Sequence, residues 1–129
     1  MDKIFKEFTL EFLGSGKHKI SPELFFELDN AILLDVRTKE ETKSIAINLS
    51  YYSNIEYINI PLNELPTKVS ELPKNKDIII FCPGKIRASI AYPYLLSQGI
   101  SNVRIFDGTF ADITNALKPG KILKNIKKQ

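Results

Sequence analysis

The sequence predicts an α/β fold, a mostly parallel central sheet of four to five strands flanked by helices. Two features carry that expectation. Four short apolar runs, AILLDV at 31–36, YINI at 57–60, DIIIFC at 77–82 and NVRIF at 102–106, are bounded by turn-forming or polar residues, as strands covered on both faces are. Between the runs lie stretches of helical character, and strands that alternate with helices build a parallel sheet enclosed by helices. At 129 residues and 43% hydrophobic content, the chain has the size of one domain and enough apolar mass for one continuous core.

Taken in order, Ile4, Phe5, Phe8 and Phe12 recur at helical spacing up to Gly14, which predicts a short amphipathic helix ahead of the domain proper. Ser21-Pro22-Glu23 supplies an N-cap, a proline at the first helical position and an acid in the first turn, opening a helix with Leu24, Phe25 and Leu28 inward. Asp29-Asn30 ends it before the first strand. Leu62 to Leu72 reads as helix-like before the third strand, and Ile86 to Ser97 as a helix closed by Gly99. Pro93 lies inside that last helix, where a proline costs ~3 kcal/mol and kinks the axis unless the freed carbonyl finds another partner. The expected organisation is an N-terminal helical extension over 1–17, the α/β domain over 18–120 and a basic tail over 121–129, read as a solvated amphipathic end.

Composition narrows the function. Eighteen basic residues against fifteen acidic ones fall short of the excess that marks a nucleic-acid binder, and suit a small anionic substrate equally well. The single cysteine excludes an intrachain disulfide and any metal site built on several cysteines. A reduced, cytoplasmic setting is therefore expected. Glu7 and Glu11 interrupt the apolar character of the N-terminus, so no export signal is expected, and no run is long enough to span a membrane.

The segment IIIFCPGKIRAS at 78–89 carries the chemistry. A buried strand delivers Cys82, the turn Cys82-Pro83-Gly84-Lys85-Ile86-Arg87 follows, and a helix starts at about Ile86. In an α/β sheet, ligand sites lie at the carboxyl ends of the strands. Gly84 is expected to permit the tight backbone that turns successive amides inward as an anion-binding nest at the positive end of a helix. Helix N-termini and nearby cations lower cysteine pKa values and supply thiolate at neutral pH, and Lys85 and Arg87 add positive charge, Arg87 with the geometry for two oxygens at once. An inert buried thiol would lack that company. Lys85 pointing into water is the plain alternative for that residue.

These residues resemble the active-site loop of single-domain rhodanese-like sulfurtransferases. LLDVR at 33–37, the Glu40-Glu41 pair, INIPLNEL at 58–65 and NVRIFDG at 102–108 are similar to the other signature blocks and follow in the family's order, covering about residues 19–117. The resemblance implies that Cys82 thiolate attacks the outer sulfur of a small anionic donor such as thiosulfate, or of a persulfide. The Cys82 persulfide would be held by the loop from Pro83 to Arg87 until a thiol, cyanide or protein acceptor removes the sulfur. By that resemblance no metal or organic cofactor is needed, while the small net charge and the absence of a long apolar run argue against a nucleic-acid partner and a membrane. Asp35 and Arg37 would brace the loop and the pocket rim, although an ordinary strand-end ion pair fits the same pattern.

Four residues separate Cys82 from Arg87, one fewer than in the related phosphatases and arsenate reductases, which favours a cradle of sulfur size. Those hydrolase-class uses, and a non-catalytic interaction module, are the alternatives. The family's Gly-His-Ile-x-Gly-Ala is absent, and Tyr52-Ser53-Asn54-Ile55-Glu56-Tyr57 stands near its place in a longer interval. The segment from Lys43 to Tyr57 is expected to border the site, and His18, the only histidine, to be a surface residue.

Overall fold

Along a strand, successive side chains point to opposite faces, and here both faces are apolar. Ile32, Leu34 and Val36 join Ile78, Ile80 and Cys82 on one side of the sheet, while Ala31 and Leu33 join Ile79 and Phe81 on the other. The computed structural model describes residues 1–126, with side chains as far as Ile122. Of the basic tail, the side chains from Leu123 onward and all of 127–129 lie outside the described residues.

The sheet has five strands, β1 Lys19–Ile20, β2 Ala31–Asp35, β3 Ile55–Asn59, β4 Asp77–Phe81 and β5 Val103–Phe106, in the order β1-β5-β4-β2-β3. Every pairing is parallel. The strand not foreseen is β1, two residues paired to Ile105 and Phe106 at the sheet edge, too short to show alternation. Its first residue is exposed and its second buried.

The helices are α1 Asp2–Lys6, α2 Leu10–Ser15, α3 Pro22–Phe26, α4 Lys39–Ser44, α5 Leu65–Lys68, α6 Ile86–Ser97, α7 Phe110–Ala116 and α8 Pro119–Ile126. The N-terminal helix is two helices rather than one. Thr9 breaks it, because its hydroxyl accepts from the Phe12 amide at 3.1 Å and caps α2, and the stop is Gly16 at φ 72° while Gly14 stays helical. In α3, Phe25 and Phe26 are buried, whereas Leu24 is 57% exposed rather than inward, since a helix this short presents one narrow face. The stretch 62–72 forms two 3-10 turns flanking α5, consistent with Pro66 lacking the amide that a continuous helix needs. α6 runs without a break through Pro93. Ser89, whose carbonyl the proline leaves without a donor, is exposed, so water can serve it.

Each face of the sheet carries its own core. Ala88, Ala91, Tyr92 and Leu95 of α6, with Leu65 and Leu72, cover the Cys82 face, and Phe8 of the N-terminal extension packs against them. Phe25 and Phe26 of α3, Ile113 and Ala116 of α7, and Ile47, Leu49 and Tyr52 from the long segment cover the other. No helix among the described residues is long and apolar enough to cross a membrane.

Candidate active site

β4 is the central strand, between β5 and β2, and Cys82 follows it directly at its carboxyl end. The side chain falls on the α6 face, 2% exposed, and its Sγ accepts a hydrogen bond from the Ala88 amide at 3.3 Å. The sulfur therefore sits on the first turn of a twelve-residue helix, where peptide dipoles favour negative charge.

The turn between strand and helix is made differently from the sequence expectation. The left-handed residue is Lys85, at φ 64°, and not Gly84, whose φ lies outside that region and which has open space where a Cβ would stand. A non-glycine residue there costs of order 1 kcal/mol, and the Lys85 amide donating to the Cys82 carbonyl at 3.4 Å helps close the turn. Pro83 has no N–H and so cannot donate to an anion. Among the described residues, the amides of Gly84, Ile86 and Arg87 have no protein acceptor.

The two loop cations are both engaged by carboxylates. Arg87 makes a two-pronged contact with Glu41 of α4, at 2.6 and 2.9 Å, and Lys85 meets Asp107, just after β5, at 2.8 Å. Hydrogen bonds from Arg87, and then from the Thr38 amide, hold the Glu41 carboxyl down to about 2 from its usual 4.5. Glu41 in turn closes the capping box of α4, its carboxylate accepting from the Thr38 amide while the Thr38 hydroxyl accepts from the Glu41 amide. Lys85 likewise lowers the Asp107 pKa.

Behind the loop, at the end of β2, Asp35 and Arg37 are fully buried and paired at 2.7 Å. Asp35 also accepts from the Arg37 amide and, at 2.6 Å, from the Tyr57 hydroxyl of β3. Burial and then the Asp35 carboxylate push the Tyr57 pKa far above 10.0. Burial opposes the Arg37 charge, but the hydrogen bonds and charge of Asp35 outweigh it and raise the pKa. Arg37 Nη1 donates to the carbonyls of Ile45 and Glu41, and the guanidinium lies 4.8 Å from the Phe110 ring centre.

A pocket of about 250 Å³ opens beside this cluster, lined by Arg37, Glu40, Glu41, Ser44 and Ile45 on one side and by Pro83, next to Cys82, and Phe110 on the other. Sequence reasoning missed Tyr57, Phe110 and Asp107, none of which has a local signal. It also missed the α4 helix, for which Thr38-x-x-Glu41 was a legible capping box. Of the long segment, only Ser44 and Ile45 line the pocket, since Ile47, Leu49 and Tyr52 are drawn into the opposite core. His18 is not a free surface residue. Its ring packs near Phe12 and Tyr92, its Nδ1 is buried without a hydrogen-bond partner, and burial followed by the Lys19 charge lowers its pKa. No group of three His, Cys, Asp or Glu side chains that could hold a metal exists among the described residues.

The family model of the rhodanese-like domain matches residues 23–116. The chain belongs to the rhodanese-like family. Among curated relatives of this rhodanese-like chain, the tRNA sulfurtransferase of Blochmanniella pennsylvanica is 36% identical over 75 residues, 58% of this chain and 15% of that protein. The tRNA sulfurtransferase of Shewanella baltica (strain OS155) is 29% identical over 77 residues, 60% of this chain and again 15% of that protein. The chain thus spans only a small part of the length of these relatives. Among solved structures, the single-domain sulfurtransferase RDL2 of Saccharomyces cerevisiae aligns with TM-score 0.59 at 22% identity, over 77% of this chain and 89% of that one. A rhodanese-related protein of Thermoplasma volcanium gives TM-score 0.59 at 27% identity, over 79% and 95%. The curated relatives are named as sulfurtransferases.

Proposed function

We propose that this chain moves sulfur as a persulfide on Cys82. The observation that carries the reading is the placement of the only thiol at the end of the central strand, bonded to an amide of the α6 first turn, in a loop with three amides left without an acceptor. Cys82 thiolate attacks the outer sulfur of thiosulfate or a low-molecular-weight persulfide. The donor's sulfur–sulfur bond breaks, sulfite or a thiolate leaves with the electron pair, and a new sulfur–sulfur bond forms on Cys82. The terminal sulfur then carries the negative charge, and the amides of Gly84, Ile86 and Arg87 are the donors available to it. A thiolate, cyanide or a protein acceptor attacks that terminal sulfur, and Cys82 thiolate is released. Displacement at sulfur needs no metal or organic cofactor, only a thiol kept reduced, as the cytoplasm keeps it. Asp35 and Arg37 act as positioning residues: they fix the strand end and the pocket wall beside Pro83.

Intact mass after exposure to each donor tests the proposal. One added sulfur atom, removed by a thiol chase and absent in Cys82→Ser, is expected, since a serine hydroxyl is not ionised there. No gain with any donor would refute it. A phosphatase-like or arsenate-reducing use is weaker, because four residues between Cys82 and Arg87 make a small cradle and Arg87 is already spent on Glu41. A non-catalytic module has no use for the unoccupied amides around a thiol.

A further inference from the structure

We infer that the pocket beside Cys82 selects its sulfur compounds by charge, and prefers those with a cationic or neutral body over small anions. This rests on the sulfur-carrier reading and narrows its substrate class. Of the residues lining the pocket, Arg37 is the one cation, and its charge is already paired with the buried Asp35 carboxylate. Asp35 meets it at 2.7 Å and takes Nε and Nη2, two main-chain carbonyls take Nη1, and the Phe110 ring lies along the guanidinium. The loop cations are answered in the same way, Arg87 by Glu41 and Lys85 by Asp107.

What remains is Glu40. It lines the pocket, is exposed, and has no hydrogen bond or ion pair among the described residues. With Arg37 paired to Asp35 and Glu41 to Arg87, Glu40 is the one lining charge without an ion-pair partner, beside the apolar surfaces of Ile45, Pro83 and Phe110, while Lys39 and Lys43 of the same helix do not line the pocket. A dianion such as thiosulfate approaches a carboxylate here with no free guanidinium to offset the repulsion. A short aminothiol persulfide instead sets its ammonium near Glu40 while its sulfur points toward Cys82. The chemistry is the displacement described above: Cys82 thiolate takes the outer sulfur and the aminothiolate leaves with the electron pair.

The test uses the full chain and three persulfides that differ in the charge of one end, those of cysteamine, mercaptoethanol and mercaptopropionate, with thiosulfate alongside. Rates of sulfur gain on Cys82 are divided by the rates at which the same donors react with N-acetylcysteine, which removes differences in intrinsic reactivity. The expected order is cysteamine, then mercaptoethanol, then mercaptopropionate, with about two- to fivefold between steps, as suits a solvent-exposed carboxylate, and compressed by salt. Glu40→Gln should narrow the spread and Glu40→Lys should reverse it. A merely structural effect of these substitutions would slow all donors alike and leave the ratios unmoved, and that result would overturn the inference, as would an anion-first order in the unaltered chain. Failure of every donor to add sulfur would sink the sulfur-carrier reading and this inference together, whereas sulfur gain without the charge order sinks this inference alone.

Discussion

Asp35 holds more of the site together than its size suggests. Its carboxylate, itself fully buried, accepts from the Arg37 side chain, the Arg37 amide and the Tyr57 hydroxyl. Removing one partner of a buried pair leaves the other charge uncompensated, so Asp35→Ala should lower stability by about 3–5 kcal/mol in urea titrations. Tyr57→Phe removes one neutral donor and leaves the ion pair intact, and should cost only about 1–2 kcal/mol. Glu41 sits at the surface end of the same site and predicts a pH effect. Its folded pKa, about 2, lies below the usual 4.5, so the Arg87 contact stabilises fully above about 4.5 and fades as the pH falls toward 2. Because both partners are about a third exposed, solvent screens the pair and the loss should stay within ~1 kcal/mol. Acid unfolding monitored by circular dichroism should show this step in the unaltered chain and lack it in Glu41→Gln; identical acid profiles would contradict the assignment.

At the scale of elements, what could be read from the sequence depended on whether an element reports its own environment. β2 and β4 did, because AILL and IIIF are unbroken apolar runs and a strand buried on both faces needs that. The Cys82 loop did as well, through its cysteine, its arginine and its position after such a strand. α4 offered only its Thr38-x-x-Glu41 capping box to read, since KEETKS has no buried face and its other hold is Arg87 reaching across from α6. The pocket was illegible because Phe110 comes to it from α7, and Tyr57 to Asp35 behind it from β3, and their placement depends on tertiary packing. Pro93 marks the opposite case, a strong local signal without the consequence expected of it. Since α6 passes through it unbroken with the freed carbonyl at an exposed residue, Pro93→Ala should gain on the order of 1 kcal/mol rather than 3, the added amide being offset by a looser unfolded chain. Thermal melting would check this, and a destabilised variant would show that the proline ring is needed for packing.

For the molecule as a whole, the two cores are separate layers joined through the sheet, and the N-terminal extension belongs to one of them. Phe8 stacks on Phe12 and on Tyr92, with ring centres 6.0 and 5.8 Å apart, and packs against the core that holds Cys82. Deleting residues 1–15 should therefore cost on the order of 1–3 kcal/mol, the value of one large apolar side chain taken from water, rather than nothing. Denaturant midpoints of the shortened and full chains would decide between these. The depth of Cys82 has a consequence of another kind. At 2% exposure the thiol lies below the surface, so a partner that brings its sulfur on a slender, unbranched arm should react faster than a bulky one. Alkylation rates of Cys82 with a small haloacetamide and a bulky maleimide would check this, with the small reagent expected to react faster relative to its rate with a free thiol.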